Sequence, residues 1–254
     1  MGKIVAIGGG YIGSVQEGKK QAVETLSIDK EIICLSGKPQ PKLLFIPTAS
    51  SDAESYVTAV QNHFGKRLGC TVDMLYLMKN PSSVEQISQK ILSADIIYVG
   101  GGNTLKMMNR WKRLGVDKAL KKAYLKGVVL SGLSAGCICW FKCGNSDSRK
   151  YYNKKDKLIK VSGLGFIGAL GCPHYDVELE RAPSLKEMMK TTKDVAIALE
   201  NCVALEVVDK SYRIISSQKG KHAYKIYYKK GKYHKEEIPQ IKEFLPLRAL
   251  LSIT

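Results

Sequence analysis

Gly132-Leu133-Ser134-Ala135-Gly136 constrains this chain more than any other stretch. The apolar run Val128-Val129-Leu130 precedes it and Cys137-Ile138-Cys139-Trp140-Phe141 follows. The pattern predicts a buried strand, a glycine-flanked turn and an apolar helix. A G-x-S-x-G turn in that setting is a nucleophile elbow. Its glycines let the backbone turn without a Cβ clash. The Ser134 hydroxyl then stands at the end of the sheet, where a helix N-terminus favours developing negative charge. The turn points to a hydrolase with a serine nucleophile.

Short apolar runs alternate with helical patterns on either side. Strands are expected at Lys3–Ile7, Leu43–Ile46, Thr71–Leu77, Asp95–Val99 and Gly127–Leu130. Helices are expected from Ser14, with Glu17 completing a capping box, and over about 52–66, 83–93 and 116–125. The loop Gly100–Thr104 opens another helix. Such alternation predicts an α/β fold: a doubly wound, mostly parallel sheet with helices on both faces. Its functional loops then lie at the carboxyl ends of strands. Beyond about residue 194, Val195–Leu199, Val203–Val208, Tyr212–Ser216 and Ala223–Tyr228 read as an antiparallel C-terminal edge. No repeat or low-complexity linker interrupts the chain. One domain over 1–254 is expected, with a core of about 1–205 and a β-rich extension of about 206–254.

A serine nucleophile needs a base, normally histidine. The chain has four histidines. His63 falls in an expected surface helix, and His222 and His234 lie in the lysine-rich tail. His174, in Gly171-Cys172-Pro173-His174-Tyr175-Asp176, suits a loop at a strand end, because Pro173 keeps the residue before it extended. The orienting acid stays open among Asp147, Asp156, Asp176 and Glu200; the end of the run Val195–Leu199 favours Glu200. Gly101 or Gly102 and the Ala135 amide are expected oxyanion donors.

The loop Gly8-Gly9-Gly10-Tyr11-Ile12-Gly13 matches G-x-G-x-x-G after a strand. A dinucleotide site also needs an acid ending a second strand about 20 residues on, and no strand runs into Asp29 or Glu31. A structural turn beside the active site is expected instead. The formal net charge of +17 comes from dispersed lysines without an arginine–aromatic stripe, so it reads as solvated surface rather than a nucleic-acid face. Seven cysteines, an odd number, argue against a disulfide framework and for a reducing, cytoplasmic setting; Cys137 and Cys139 read as small buried side chains. No signal peptide or membrane span is expected.

Gly-Gly-Asn-Thr at 101–104, then Gly-x-Ser-Ala-Gly, then Pro173-His174 forty residues past the serine, together resemble peptidase family S51. That family holds the Asp-specific dipeptidase E and the cyanophycinases. The resemblance covers roughly residues 1–205 and includes Ile46-Pro47-Thr48-Ala49-Ser50. It implies a fold like that of class I glutamine amidotransferases, with serine replacing their cysteine. It implies Ser134 as nucleophile, His174 as base, the Gly101–Gly102 turn as oxyanion donor, and no metal or organic cofactor. The family's Ser-His-Glu triad carries its acid onto Glu200, in Ile197-Ala198-Leu199-Glu200-Asn201. It implies a short-peptide substrate, Asp-containing in the dipeptidase case, and a homodimer. Asn103 and Arg181 are the expected substrate contacts, with Lys186 a second candidate. Two other readings use the same residues: an α/β-hydrolase esterase with its base at His222 or His234, and a non-catalytic polyanion-binding protein.

Overall fold

The computed structural model describes residues 2–253 apart from 14, 17, 18 and 21, with backbone alone at 15, 16, 19 and 20. Strand β1 (Lys3–Ile7) is followed by a hairpin, β2 (Val15–Gln16) and β3 (Lys19–Lys20). The capping pair Ser14 and Glu17 lies outside the described residues, and extended backbone occupies the place of the expected helix. The first helix is α1 (Leu26–Ser36). The expected alternation then runs through β4 (Lys42–Ile46), α2 (Glu54–Val60), β5 (Thr71–Met74), α3 (Val84–Ser93), β6 (Ile96–Val99), α4 (Thr104–Leu114), α5 (Val116–Leu125) and β7 (Val129–Leu133). A π-helix over Gln61–Arg67 extends α2. Ser83 and Gln86 close a capping box on α3.

After the elbow the expectation needs correction. Helix α6 (Ala135–Ile138) is a single turn, and Phe141 already belongs to β8 (Phe141–Ser146). A short continuous apolar run has no period that separates helix from buried strand. Strands β9 (Ile159–Ser162) and β10 (Ile167–Cys172), helix α7 (Arg181–Met189) and strand β11 (Ala196–Leu199) follow. The chain continues through β12 (Val203–Val208), β13 (Ser211–Ser216), β14 (Ala223–Lys229), β15 (Lys232–Glu237), β16 (Leu245–Pro246) and α8 (Leu247–Leu251).

The strands form two large sheets rather than one. The first has the order β16-β13-β12-β1-β7-β6-β4-β5, in which β1, β7, β6, β4 and β5 are parallel. The second has the order β15-β14-β11-β10-β8-β9, with β8, β10 and β11 parallel. The antiparallel C-terminal strands exist but divide between both sheets: β12, β13 and β16 edge the first, β14 and β15 the second.

Alternation along each strand sends side chains to opposite faces. Val5 and Ile7 pack with Ile28 and Ile32 of α1 and Val57 and Val60 of α2. Ile4 and Ala6 face the other way, into a core shared by α3, α4, α5 and the inner face of the second sheet (Ala169, Ile197, Leu199). Leu185 and Met189 of α7 cover that sheet's outer face at Leu170, Cys172, Ala196 and Ala198. Each such fully buried aliphatic side chain is worth ~1.5–3 kcal/mol. The carboxyl ends of β1, β7, β10 and β11 meet where the two sheets abut. No helix among the described residues is long and apolar enough to cross a membrane.

Candidate active site

The elbow is built by close approach. A Cβ on Gly132 would lie 2.5 Å from the Val99 carbonyl oxygen, and one on Gly136 would lie 2.1 Å from it. Both residues must therefore be glycine for β7 to turn against the end of β6. Between them Ser134 has φ 56° and ψ −110°, a conformation rare for an L residue and one that collects at functional sites. Its N–H donates to the Ile7 carbonyl at 3.2 Å. Because α6 has only four residues, its macrodipole is small. The local N–H of Ala135 is the group left to meet negative charge.

His174 follows the end of β10. It too has positive φ, 54°, and its N–H donates to the Gly8 carbonyl at 3.1 Å. Consecutive carbonyls at the end of β1 thus fix the backbones of the nucleophile and base candidates. A Cβ on Gly9 would lie 2.5 Å from the imidazole and 2.1 Å from Asn201 Oδ1. The first glycine loop is the flat floor under His174, as expected of a structural turn. Three of its polar backbone groups are engaged: the Gly8 N–H on the Val203 carbonyl, the Gly8 carbonyl on the His174 N–H, and the Gly9 carbonyl on the Cys202 N–H.

His174 Nδ1 lies 2.8 Å from Asn201 Oδ1. An amide oxygen only accepts, so Nδ1 is the donor, and in the neutral ring that tautomer leaves the lone pair on Nε2. Parallel pairing of Cys172 with Ala198 brings the two strand ends side by side. The Tyr175 N–H donates to the Leu199 carbonyl at 3.1 Å, and Asp176 Oδ1 accepts the Asn201 N–H at 2.9 Å. Asp176 Oδ2 holds the Lys221 ammonium at 2.5 Å. Burial pushes the Asp176 carboxyl up, but Lys221 and the Asn201 amide outweigh it and hold the group below the usual carboxylate value.

Glu200 does not reach His174. The Glu200 N–H continues the β11–β14 pairing onto the His222 carbonyl, and its carboxylate accepts the His222 N–H at 2.9 Å and the Tyr224 hydroxyl at 3.3 Å. The next residue, Asn201, is the one turned to the histidine. Of the other acids, Asp156 accepts from Asn153 in a turn, and Asp147 lies 3.9 Å from Arg181. Burial raises the Asp147 carboxyl, partly offset by Arg181.

The expected substrate contacts are corrected as well. Asn103 is buried; its Oδ1 caps α4 through the Lys106 N–H at 3.0 Å, and its Nδ2 donates to the Ser148 carbonyl at 3.0 Å. The Arg181 side chain is 1% exposed. It donates to Glu178 Oε2 at 2.8 Å and to the Asn145 carbonyl, so it has no face for a ligand. Lys186 sits over the Tyr233 ring. Gly102 packs on the Ala49 carbonyl, and the Gly101 N–H donates to the Tyr56 hydroxyl at 3.2 Å. Burial pushes the Tyr56 phenol up to about 12, so it keeps its proton.

A cavity of about 660 Å³ opens over these groups, with Ser134, His174, Asn201, Gly101, Tyr56 and Glu178 in its wall. Gly101 touches Ser134: its Cβ would come 3.7 Å from Ser134 Oγ. No hydrogen bond joins Ser134 to His174 among the described residues. Such contacts are often long before substrate arrives. His222 is not in the wall but pairs with Glu237 at 2.8 Å, and His234 stacks on Tyr227. His63 is buried against Asp29 rather than exposed on a helix. Tyr56, Glu178 and Asn201 had no motif to reveal them. The three consecutive glycines were the one local sign that something packs flat on that loop.

The uncharacterized peptidase YgaJ of Bacillus subtilis (strain 168) is 35% identical over 228 residues, covering 89% of this chain and 92% of that one. Peptidase E of Streptomyces coelicolor is 28% identical over 95 residues, 37% of this chain and 36% of that one. A peptidase structure from an acI-B1 Actinobacterium superposes with a TM-score of 0.73 at 16% identity, covering 97% of each chain, and shows a shared fold. The model of peptidase family S51 matches residues 12–215, and the chain belongs to that family.

Proposed function

We propose that this peptidase is a serine enzyme that hydrolyses short peptides through an acyl-enzyme on Ser134. His174 Nε2 takes the hydroxyl proton as Oγ bonds to the substrate carbonyl carbon. The same proton passes to the leaving amine as the C–N bond breaks. Water then attacks the ester, again with His174 as base, and releases the acid. Asn201 replaces the expected Glu200: it fixes the ring and its tautomer through a neutral amide. The Ala135 N–H and the Tyr56 O–H stabilise the oxyanion. Tyr56 serves here because the Gly101 amide is already spent on its oxygen.

One observation carries the reading. Ser134 lies at a strained elbow in the same cavity as a histidine whose Nδ1 is occupied by Asn201. A cavity of about 660 Å³ has the size of a small-ligand site, which suits a dipeptide or tripeptide. Labelling with a fluorophosphonate followed by mass mapping tests the chemistry. The adduct is expected on Ser134 and is lost in His174→Ala. Peptide turnover is expected to vanish in Ser134→Ala at unchanged thermal stability. A folded protein that turns over peptides but carries no adduct on Ser134, or a Ser134→Ala variant that stays active, overturns it.

A further inference from the structure

Glu178 lies four residues beyond His174, and its N–H donates to the His174 carbonyl at 3.1 Å. It is therefore one turn from the proposed base, in the wall of the same cavity. Its carboxylate is not free to swing. Oε2 is held at 2.8 Å by Arg181 Nε, and the Arg181 N–H donates to the Glu178 carbonyl at 2.8 Å. Arg181 is itself fixed by the Asn145 carbonyl and stands 3.9 Å from Asp147. The exposures differ in a way that decides the polarity: the Arg181 side chain is 1% exposed and that of Glu178 is 32%. The guanidinium is buried, while Glu178 is partly exposed and lines the cavity. Glu178 Oε1 has no protein partner among the described residues.

Among the described residues the rest of the wall carries no lysine or arginine countercharge, and Glu178 is the wall's only carboxylate. In a chain of net charge +17 the substrate cavity is thus locally acidic. One guanidinium shared between Glu178 and Asp147 leaves the cluster with net negative charge. A pre-oriented carboxylate with a vacant oxygen is matched by an ammonium or guanidinium, through a charge-assisted hydrogen bond. An aspartyl side chain there meets like charge instead.

Building on the serine-peptidase reading, we infer that Glu178 is a specificity-determining residue that selects peptides presenting a cationic group one turn from His174. Arg181 is a positioning residue that aims it. The polarity is the reverse of the one expected when Arg181 was taken as a cradle for an acidic substrate.

The test is a panel of dipeptides and tripeptides scored by kcat/KM. One arm compares free with N-acetylated amino termini. A second compares Lys or Arg with Met or Gln, and with Asp or Glu, at each position. Loss on acetylation assigns the cation to the α-ammonium; preference for Lys or Arg over Met assigns it to a side chain. In either case the cationic peptide is expected to be favoured about 10- to 100-fold over its neutral counterpart. Glu178→Gln is expected to bring that ratio near unity, and Glu178→Lys to invert it towards Asp or Glu. The ratio is taken on one variant, so general loss of activity cancels. The wild-type panel alone also tests the idea, whatever the variants do to folding. Turnover without charge preference, preference for Asp or Glu, or a ratio unmoved in a folded Glu178→Gln overturns the inference. If Ser134 still takes the fluorophosphonate in that case, the serine-peptidase reading stands; absence of the adduct alongside turnover fells that reading first.

Discussion

Two histidines in this molecule are held in nearly the same way and are set for different ends. His174 Nδ1 meets Asn201 Oδ1 at 2.8 Å, and His63 Nε2 meets Asp29 Oδ2 at 2.8 Å. The difference lies around the pair. His63 and Asp29 are sealed between α1 and the π-helical turn, among Phe64, Tyr98 and the aliphatic face of β1. Thr25 donates to Asp29 at 2.7 Å, yet among the described residues His63 Nδ1 and Asp29 Oδ1 have no hydrogen-bond partner. Burial raises the Asp29 carboxyl above its usual value, against the opposing pull of His63 and Thr25. His174 instead borders a cavity shared with a strained serine, and its partner is neutral. A hydrogen-bonded imidazole becomes a candidate base only where its second nitrogen has somewhere to send a proton.

That contrast is easiest to break at its strong end. His174→Ala is expected to lower kcat by about 10⁴-fold or more, with little change in the unfolding midpoint. His63→Ala is expected to do the opposite. Removing one partner of a buried pair costs about 3–5 kcal/mol, read as a drop in urea or thermal stability, while the folded fraction keeps its turnover at low temperature. An inactive but stable His63→Ala, or an unfolded His174→Ala, erases the distinction between the two sites.

The partners sharpen it further. Asn201→Ala frees the ring to rotate and to change tautomer, and kcat is expected to fall about 10²-fold, less than on loss of the base itself. Asn201→Asp places a carboxylate where the pattern of the family led one to expect an acid. A carboxylate beside an imidazole favours its charged form. The acidic limb of the kcat/KM profile is therefore expected to move to higher pH, with kcat recovered relative to Asn201→Ala. Glu200→Gln leaves the His174 contact untouched and is expected to change kcat far less than Asn201→Ala. A greater loss in Glu200→Gln than in Asn201→Ala returns the orienting role to Glu200.

The same pairings explain what the sequence disclosed. The parallel strands and the glycine-flanked turn at Ser134 were legible because their signals are local: apolar runs, glycines and helix caps at short spacing. The proposal of Ser134 and His174, which line one cavity, came from the same kind of signal. Asn201 did not, because β11 ends at Leu199, and which of the next two side chains turns to His174 depends on pairing with β14. Asn103 and Arg181 were read as ligand contacts because a polar side chain in a promising stretch looks the same whether it caps a helix, anchors a carboxylate or binds substrate. Only long-range packing decides. The second sheet was hidden for a related reason, since Cys137–Phe141 is apolar throughout and lacks the period that marks a strand.

The smallest expected effect belongs to Asp176, which touches His174 only through the backbone of Asn201. It has two tasks: Oδ1 takes the Asn201 N–H at 2.9 Å and Oδ2 takes the Lys221 ammonium at 2.5 Å. Its folded carboxyl lies below the ordinary value of 3.8. A depressed carboxyl contributes stability that is complete above the unfolded value and is lost as pH falls through the folded one. The anchor is thus intact at neutral pH and fails only in strong acid, below about pH 4. Loss of activity at higher pH than that must then come from a group other than Asp176. Asp176→Asn keeps an oxygen for the Asn201 N–H and removes the ion pair. It is expected to lower kcat about threefold to tenfold, with the pH profile above 5 unshifted. A profile that moves with Asp176→Asn instead makes the aspartate the group whose titration limits turnover in acid.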